Sequence, residues 1–156
     1  MSNSDLQDFL REKSKQQPSK PIDWNAKKVS WEKALNKLYL QLEAFLGNLI
    51  SEKVLVISRR PVTVQEDYLG SYQVDQLVLS VGSEQVVFAP KGATIVGASG
   101  RVDVLGQAFT RTLLWVNGDG SNPSDWSFIV SRSPKLKLVM LSQDSLLDVL
   151  KDTMAQ

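Results

Sequence analysis

The apolar positions of this chain follow a helical period up to about Lys53 and a shorter, strand-like pattern beyond it. From Trp31 onward the apolar residues recur at steps of four, three, four, three and four. That spacing places them on one face of a helix, so it predicts a long helix over residues 30–51 with Ser30 as its N-cap. The seam on this face consists of Trp31, Leu35, Leu38, Leu42, Phe45 and Leu49.

The seam could pack on the protein's own sheet or on the same helix of a second subunit. It covers fewer than three heptads, whereas coiled coils usually sustain at least three or four. Tyr39, Leu46 and Ile50 also make it wider than a coiled-coil stripe. We therefore expect the seam to pack mainly within its own chain, and we expect Phe45, near its centre, to be among the most sensitive positions.

After Lys53, short segments rich in Val, Ile, Thr and aromatic residues alternate with turn residues. Such segments predict β-strands. Their short connections favour antiparallel pairing, because parallel strands need long crossovers. Arg60-Pro61 predicts a break between the first two strands. The predicted strands cover residues 54–58, 62–65, 72–81, 85–89, 101–105, 109–116, 126–131 and 136–141.

Helices are also predicted at the two ends of the chain. Ser142 supplies an N-cap for a C-terminal helix, whose apolar stripe contains Leu146, Leu147, Leu150 and Met154. Residues 1–21 predict a helical arm and a polar linker, and residues 22–156 suit a single domain. The predicted fold class is therefore α+β, with N-terminal helices packed on a mainly antiparallel sheet or half-barrel that a C-terminal helix closes.

The composition excludes several kinds of chemistry. The chain has no histidine and no cysteine, so it offers no imidazole or thiol catalyst, no disulfide and no usual zinc site. Its 18 basic and 17 acidic residues nearly balance, so no overall field attracts nucleic acid or an anionic membrane. The first ten residues lack a secretory pattern, and no apolar run is long enough to span a bilayer. We expect a cytoplasmic protein without cofactor, metal or membrane insertion.

Two loops carry patterns that have to be weighed against known ligand sites. Gly97-Ala98-Ser99-Gly100 is similar to the phosphate loop of short-chain-dehydrogenase-type proteins, but Asp103 stands where a third glycine is needed. The polar loop of residues 117–125 gathers oxygen ligands, but Asn122 and Phe128 occupy the positions of the calcium loop's turn glycine and bidentate glutamate. Both loops are therefore predicted to be hairpin turns.

A few basic residues are candidate contacts for an anion or a protein partner. They are Arg59, Arg60, Arg132 and Lys135, with Lys137 close by and Trp126 as a neighbouring aromatic ring. Arginine and aromatic side chains together can bind single-stranded nucleic acid. The interleaved acidic residues and the balanced charge argue against that use here.

The sequence contains no catalytic constellation, metal set or cofactor motif. The expected function is that of a non-catalytic protein-binding or accessory module, with a protein partner or self-association. One alternative is a small-molecule-binding or hydrolytic enzyme that uses carboxylate, lysine or tyrosine groups in a half-barrel pocket. A deep pocket with Glu66 or Asp103 beside Arg101 or Arg111 would favour it. The other alternative is a single-stranded nucleic-acid binder, which a continuous stripe through the basic positions would favour.

Overall fold

The computed structural model describes residues 7–8, 23–93 and 98–155. Its helices include α1 (Trp24–Phe45), α2 (Gly47–Ser51) and α3 (Gln143–Thr153). The strands are β1 (Val56–Glu66), β2 (Gly70–Val81), β3 (Glu84–Gly92), β4 (Gly100–Leu105), β5 (Thr110–Trp115), β6 (Trp126–Ser131) and β7 (Lys137–Met140). A short 3-10 helix, Pro123–Asp125, precedes β6.

The strands form one antiparallel sheet in which each strand pairs with its neighbour in the sequence. The order β1-β2-β3-β4-β5-β6-β7 follows from short connections, which return the chain beside the strand it has just left. The sheet does not close into a barrel, so β1 and β7 are its two edges. The α+β prediction, with a long N-terminal helix, an antiparallel sheet and a C-terminal helix, is confirmed.

Helix α1 begins earlier than the apolar seam predicts. Its N-cap is Asp23, whose Oδ1 accepts a hydrogen bond from the Ala26 N–H at 3.0 Å, so the predicted N-cap at Ser30 is wrong. None of the residues from 24 to 30 is buried, and an apolar pattern therefore cannot mark the start of the helix. The helix ends at Phe45 and α2 starts at Gly47, so residues 30–51 are not one continuous helix.

The seam of α1 packs inside its own chain, against the face of the sheet that we call the inner face. Four seam residues are almost completely buried and two are partly buried. The first group is Trp31, Leu35, Leu38 and Leu42, and the second is Phe45 and Leu49. Phe45 is therefore not the most enclosed position of the helix.

Polar contacts hold α1 on both of its sides. The Tyr39 hydroxyl donates to the backbone oxygen of Asp75, on β2, at 2.5 Å. Lys37 Nζ lies 3.0 Å from Asp119 Oδ2, in the loop before β6. These contacts place α1 across the inner face, between the first hairpin and the β5–β6 loop.

Three tryptophans meet at the centre of this core. The ring centroids of Trp31, Trp115 and Trp126 are separated by 6.1, 6.2 and 6.5 Å. Gly100 on β4 lies directly beside the Trp31 ring, and a Cβ at this position would overlap the indole. The glycine therefore lets a bulky helix residue approach the sheet closely.

Strand β1 continues without interruption through Pro61, so the predicted break at Arg60-Pro61 is wrong. A strand tolerates proline at the edge of a sheet, where the missing N–H leaves no ladder bond unmade. Ile57 and Val64 both pack on the core, although they are seven positions apart, an odd offset that would place them on opposite faces of a flat strand. Because alternate residues face opposite sides of a strand, the first hairpin must twist sharply near Pro61 as it follows α1.

Helix α3 confirms the predicted N-cap at Ser142, whose hydroxyl accepts a backbone N–H of the first turn. Leu146 and Leu150 are buried as predicted, whereas Leu147 is exposed and Val149 takes its place in the core. The predicted arm over residues 1–21 lies outside the described residues, apart from residues 7 and 8. Within the described part of the chain, no helix has the length and apolar character that crossing a membrane requires.

Candidate binding surface at the β7 edge

Within the described residues, strand β7 has one unpaired edge. It pairs with β6 on one side only, with Val139 opposite Phe128 and Leu138 opposite Ile129. The Leu141 N–H donates to β6 at 2.9 Å. Because backbone groups alternate in direction along a strand, the N–H groups of Leu138 and Met140 point away from β6. Neither donor has a hydrogen-bond partner within the described residues, whereas the Met140 backbone oxygen on the same side of β7 accepts a hydrogen bond from Ser145 Oγ at 2.9 Å.

The β6–β7 hairpin also exposes an unusual number of apolar side chains. The described residues include 12 large hydrophobic side chains that are exposed, and five of these belong to this hairpin. They are Val130, Leu136, Leu138, Val139 and Met140. We call these residues, together with Arg132, Lys135 and Lys137, the β7 surface. Leu138 and Met140 lie on one face of β7 and Val139 on the other, so exposed apolar side chains flank the free edge on both faces. Exposed apolar area grouped in one part of a surface is typical of interaction sites.

The charged residues of the β7 surface are all basic. Arg132, Lys135 and Lys137 are exposed, and none of them forms an ion pair within the described residues. Basic side chains commonly protect an edge strand from self-association. Here they also leave the edge complementary to an acidic ligand.

A cleft opens beside this surface, between β5 and β6. The pairing of the two strands ends at Thr112 and Ile129, although β5 starts at Thr110 and β6 continues to Ser131. The strands separate there and leave a cleft of about 400 Å³. The described residues that line it include two arginines and four hydroxyl residues, with no carboxylate among them. The lining residues are Thr110, Arg111, Thr112, Ile129, Val130, Ser131, Arg132 and Ser133.

The other predicted basic contacts, Arg59 and Arg60, lie on β1 at the opposite edge of the sheet. Arg59 Nη1 donates to Asn36 at 2.9 Å, and its guanidinium lies 5.2 Å from the Tyr39 ring centroid. Arg60 Nη2 donates to Gln76 at 3.1 Å. The predicted basic positions therefore divide between the two edge strands and the β6–β7 connection, and the sheet separates the two groups.

Trp126, the predicted aromatic contact, is fully buried. Its Nε1 donates to the Gly120 backbone oxygen at 3.0 Å, and its ring stacks on Trp115. A partner cannot reach this ring without opening the core. Trp126 therefore contributes to the fold and is absent from the surface that Arg132 and Lys135 share.

The carboxylates singled out for an enzyme site make contacts within the protein. Arg101 Nε donates to Asp103 Oδ1 at 2.8 Å on the outer face, the face of the sheet opposite α1. Glu66 accepts hydrogen bonds from the Tyr72 hydroxyl and from the Ala93 N–H. Burial, and then the hydrogen bond with Glu66, raises the pKa of Tyr72 well above its usual range. Asp103 does lie beside Arg101, but on a sheet face rather than in a deep pocket.

The polar loop of residues 117–125 is held by its own carboxylates. Asp125 is buried, and its Oδ2 accepts hydrogen bonds from the Gly120 N–H at 3.1 Å and the Asn122 N–H at 3.2 Å. Hydrogen bonds from Ser121 and the neighbouring Lys37 hold the pKa of Asp119 well below its usual range. No group of three or more metal-ligating side chains occurs within the described residues. The loop is organised by carboxylate-to-backbone bonds.

The glycine-rich string is only partly described, because residues 94–97 lie outside the described residues. The residues that follow it, Gly100–Leu105, form strand β4. A phosphate-binding loop of the dinucleotide type would instead open a helix at this point.

A second cavity, of about 310 Å³, lies between α1 and the first hairpin. Glu32, Asn36, Tyr39, Gln73 and Asp75 are among its lining residues. Burial raises the pKa of Tyr39 well above its usual range. The Tyr39 hydroxyl is therefore a hydrogen-bond donor here and not a base. Two carboxylates, Glu32 and Asp75, line this cavity. It therefore does not suit the acidic ligand that the basic β7 surface would attract.

The sequence indicated Arg132, Lys135 and Lys137 but missed the apolar half of the surface and the cleft. The segment Lys135-Leu136-Lys137-Leu138-Val139-Met140 contained a usable signal, because it reads as a buried strand interrupted by lysines, which is typical of an edge. No family model, curated protein or solved structure matches this chain.

Proposed function

We propose that this protein is a non-catalytic binding module that takes an extended, acidic segment of another protein as an additional strand along β7. The observation that carries the proposal is the β7 surface, where five exposed apolar side chains and three basic residues without an ion pair lie on the β6–β7 hairpin. Within the described residues, β7 has no neighbouring strand on its other side. In strand addition, backbone hydrogen bonds supply affinity and alternate side chains supply specificity.

The outward N–H groups of Leu138 and Met140 supply the backbone donors for such an added strand. The side chains of the same two residues extend the outer face, since Leu138 lies opposite Ile129 and Met140 lies opposite Ser127. A bound segment that alternates apolar and acidic residues would therefore place its apolar side chains beside these residues. Its carboxylates would lie near Lys135 and Lys137.

Charge favours a different protein over a second copy of this chain. Pairing two β7 strands would bring Lys135 and Lys137 of both copies to one edge, and the segment from Lys135 to Leu141 contains no acidic residue that could offset their charge. Like charges opposite one another on paired strands are destabilising. An acidic segment removes that repulsion and pairs with side chains that have no acidic partner within the described residues.

The test begins with a selection of short random peptides displayed on phage against the purified protein. We expect enriched peptides to alternate acidic and apolar residues, and amide chemical shifts of the labelled protein should place them along β7. Leu138→Pro removes an outward N–H without removing a bond to β6, and Leu138→Ala removes only the side chain. The proline variant should lose binding by a larger factor than the alanine variant.

Several results would overturn the proposal. Equal effects of the two Leu138 variants would show that no backbone pairing takes place. Selected peptides that map to β1, or enrichment of basic peptides, would place the contact elsewhere. A dimer in sedimentation velocity that Leu138→Pro abolishes would identify a second copy as the occupant. Thermal unfolding of both variants serves as the folding control, because an edge strand of four residues contributes little to the core.

A further inference from the structure

The β5–β6 cleft contains an arginine with most of its donors unused. Arg132 Nη2 donates to Thr112 Oγ1 at 3.5 Å, and no other partner of Arg132 lies within the described residues. A guanidinium carries five N–H donors in a planar fork that fits carboxylate and phosphate groups. Four of these donors therefore remain available to a ligand.

Thr112 holds Arg132 toward the cleft. Its hydroxyl donates to Asp103 Oδ1 at 3.5 Å, and Arg101 in turn neutralises Asp103 at 2.8 Å. Thr112 can therefore accept from Arg132 and donate to Asp103 at once. Because Thr112 and Asp103 are both buried, the hydroxyl has a defined position against which the guanidinium can rest.

The charge within the cleft favours an anion. Arg111 also lines it, and its nearest acidic partner, Asp152, is 3.7 Å away, too distant for a short hydrogen bond. The hydroxyls of Thr110, Ser131 and Ser133 complete the polar lining. Asp103 adds a negative charge next to Thr112, but its ion pair with Arg101 offsets that charge.

We infer that this cleft is an anion subsite that holds a carboxylate or phosphate group carried by the acidic segment bound along β7. This inference rests on the proposed function, because the anion would belong to the segment bound along β7. Strand β6 lines the cleft and pairs with β7, with Ser131 opposite Lys137 and Ile129 opposite Leu138. Arg132 supplies the charge-assisted hydrogen bonds, and Thr112 positions it. About 12 Å, two and a half strand spacings, separates a strand added to β7 from the cleft. The anion would therefore belong to a residue three or four positions beyond the paired stretch, where the extended segment passes the end of β6.

The first arm of the experiment titrates the protein with inorganic phosphate and follows its amide chemical shifts. We expect the shifts to concentrate at residues 110–112 and 129–133. Arg132→Gln should weaken phosphate binding by at least about tenfold, because it removes a charged partner of the anion. Arg60→Gln is the matched control, since Arg60 is an exposed arginine on the opposite edge, and it should leave phosphate binding unchanged.

The second arm is a double-mutant cycle between Arg132→Gln and acid-to-amide changes in a peptide selected on β7. One acidic peptide position should lose about tenfold in affinity in the parent protein and almost nothing in the Arg132→Gln variant. A phosphoserine peptide at the same position, compared with its aspartate form, reports which anion the subsite prefers.

The outcomes separate the two proposals. A peptide that maps to β7 but shows no coupling with Arg132 overturns the subsite and leaves the proposed function intact. Phosphate binding without coupling to any peptide position identifies a free-anion site and also overturns the inference. If no selected peptide maps to β7, both proposals are overturned.

Discussion

Replacing Leu38 with alanine should destabilise the protein by about 3–4 kcal/mol. Leu38 lies in the middle of α1 and is 0% exposed. The substitution removes three carbon groups, and at about 0.8 kcal/mol for each buried group the transfer free energy lost is about 2.4 kcal/mol. The remaining cost comes from the cavity, because strands paired on both sides cannot move inward to fill it.

Urea unfolding followed by the fluorescence of the buried tryptophan cluster measures this loss. With a slope of about 2 kcal/mol per M, the unfolding midpoint should fall by about 1.5–2 M. Leu40→Ala is the matched control, since Leu40 lies on the same helix but is 59% exposed. Its free energy of unfolding should stay within about 0.5 kcal/mol of the parent value.

Phe45→Ala sharpens the comparison. Its position in the apolar seam alone predicts one of the largest effects in the helical half, but the partly buried ring predicts a smaller loss than that of Leu38→Ala. Equal midpoints for Leu38→Ala and Leu40→Ala would refute the placement of α1 in the core. A larger loss for Phe45→Ala than for Leu38→Ala would refute the use of burial to rank the seam.

Four further predictions concern two buried polar groups, metal removal and one close approach. Burial raises the pKa of Tyr39. The stability that the neutral hydroxyl contributes is therefore complete below about pH 10 and falls by up to about 1.4 kcal/mol per pH unit above it. In urea unfolding, Tyr39→Phe should flatten this loss of stability at alkaline pH, whereas Tyr68→Phe, at an exposed tyrosine, should not. Asp125→Ala should cost about 2–4 kcal/mol, since it removes the acceptor of the buried Gly120 N–H and of the partly buried Asn122 N–H. The thermal melt of the parent protein should be the same with and without EDTA, because the described residues contain no group of three or more metal-ligating side chains. Gly106→Ala should cost about 1–3 kcal/mol, because its Cβ would overlap the Thr153 carbonyl where α3 docks; an unchanged melting temperature would contradict that contact.

Much of the fold follows from local patterns. The seam of α1 was predictable because an apolar stripe with a helical period has to find an apolar surface, and the N-cap at Ser142 because a short hydroxyl side chain satisfies free N–H groups wherever a helix begins. The start of α1 at Asp23 was missed because its first turns bury nothing. The strand through Pro61 was missed for a different reason: whether proline breaks a strand depends on whether that strand lies at an edge, which only the pairing order decides.

The candidate surface divides in the same way. Arg132, Lys135 and Lys137 were identifiable as basic residues, but their role as an edge partner depends on β7 being the last strand of an open sheet. Trp126 was predicted to be a surface contact, but the structure places it in the core. An aromatic ring near basic residues in the sequence is compatible with either location. Residue identity does not distinguish the two, because apolar side chains gain free energy wherever they are removed from water.

Hydrophobic period, short connections and the absence of histidine and cysteine can be read along the chain, so they were enough to predict the α+β class, the antiparallel pairing and the chemistry that is missing. The free edge of β7, the separation of β5 from β6 and the unused donors of Arg132 could not be predicted in this way. Those features depend on which residues meet across the sheet. That is a consequence of packing the whole chain at once, and no single segment specifies it.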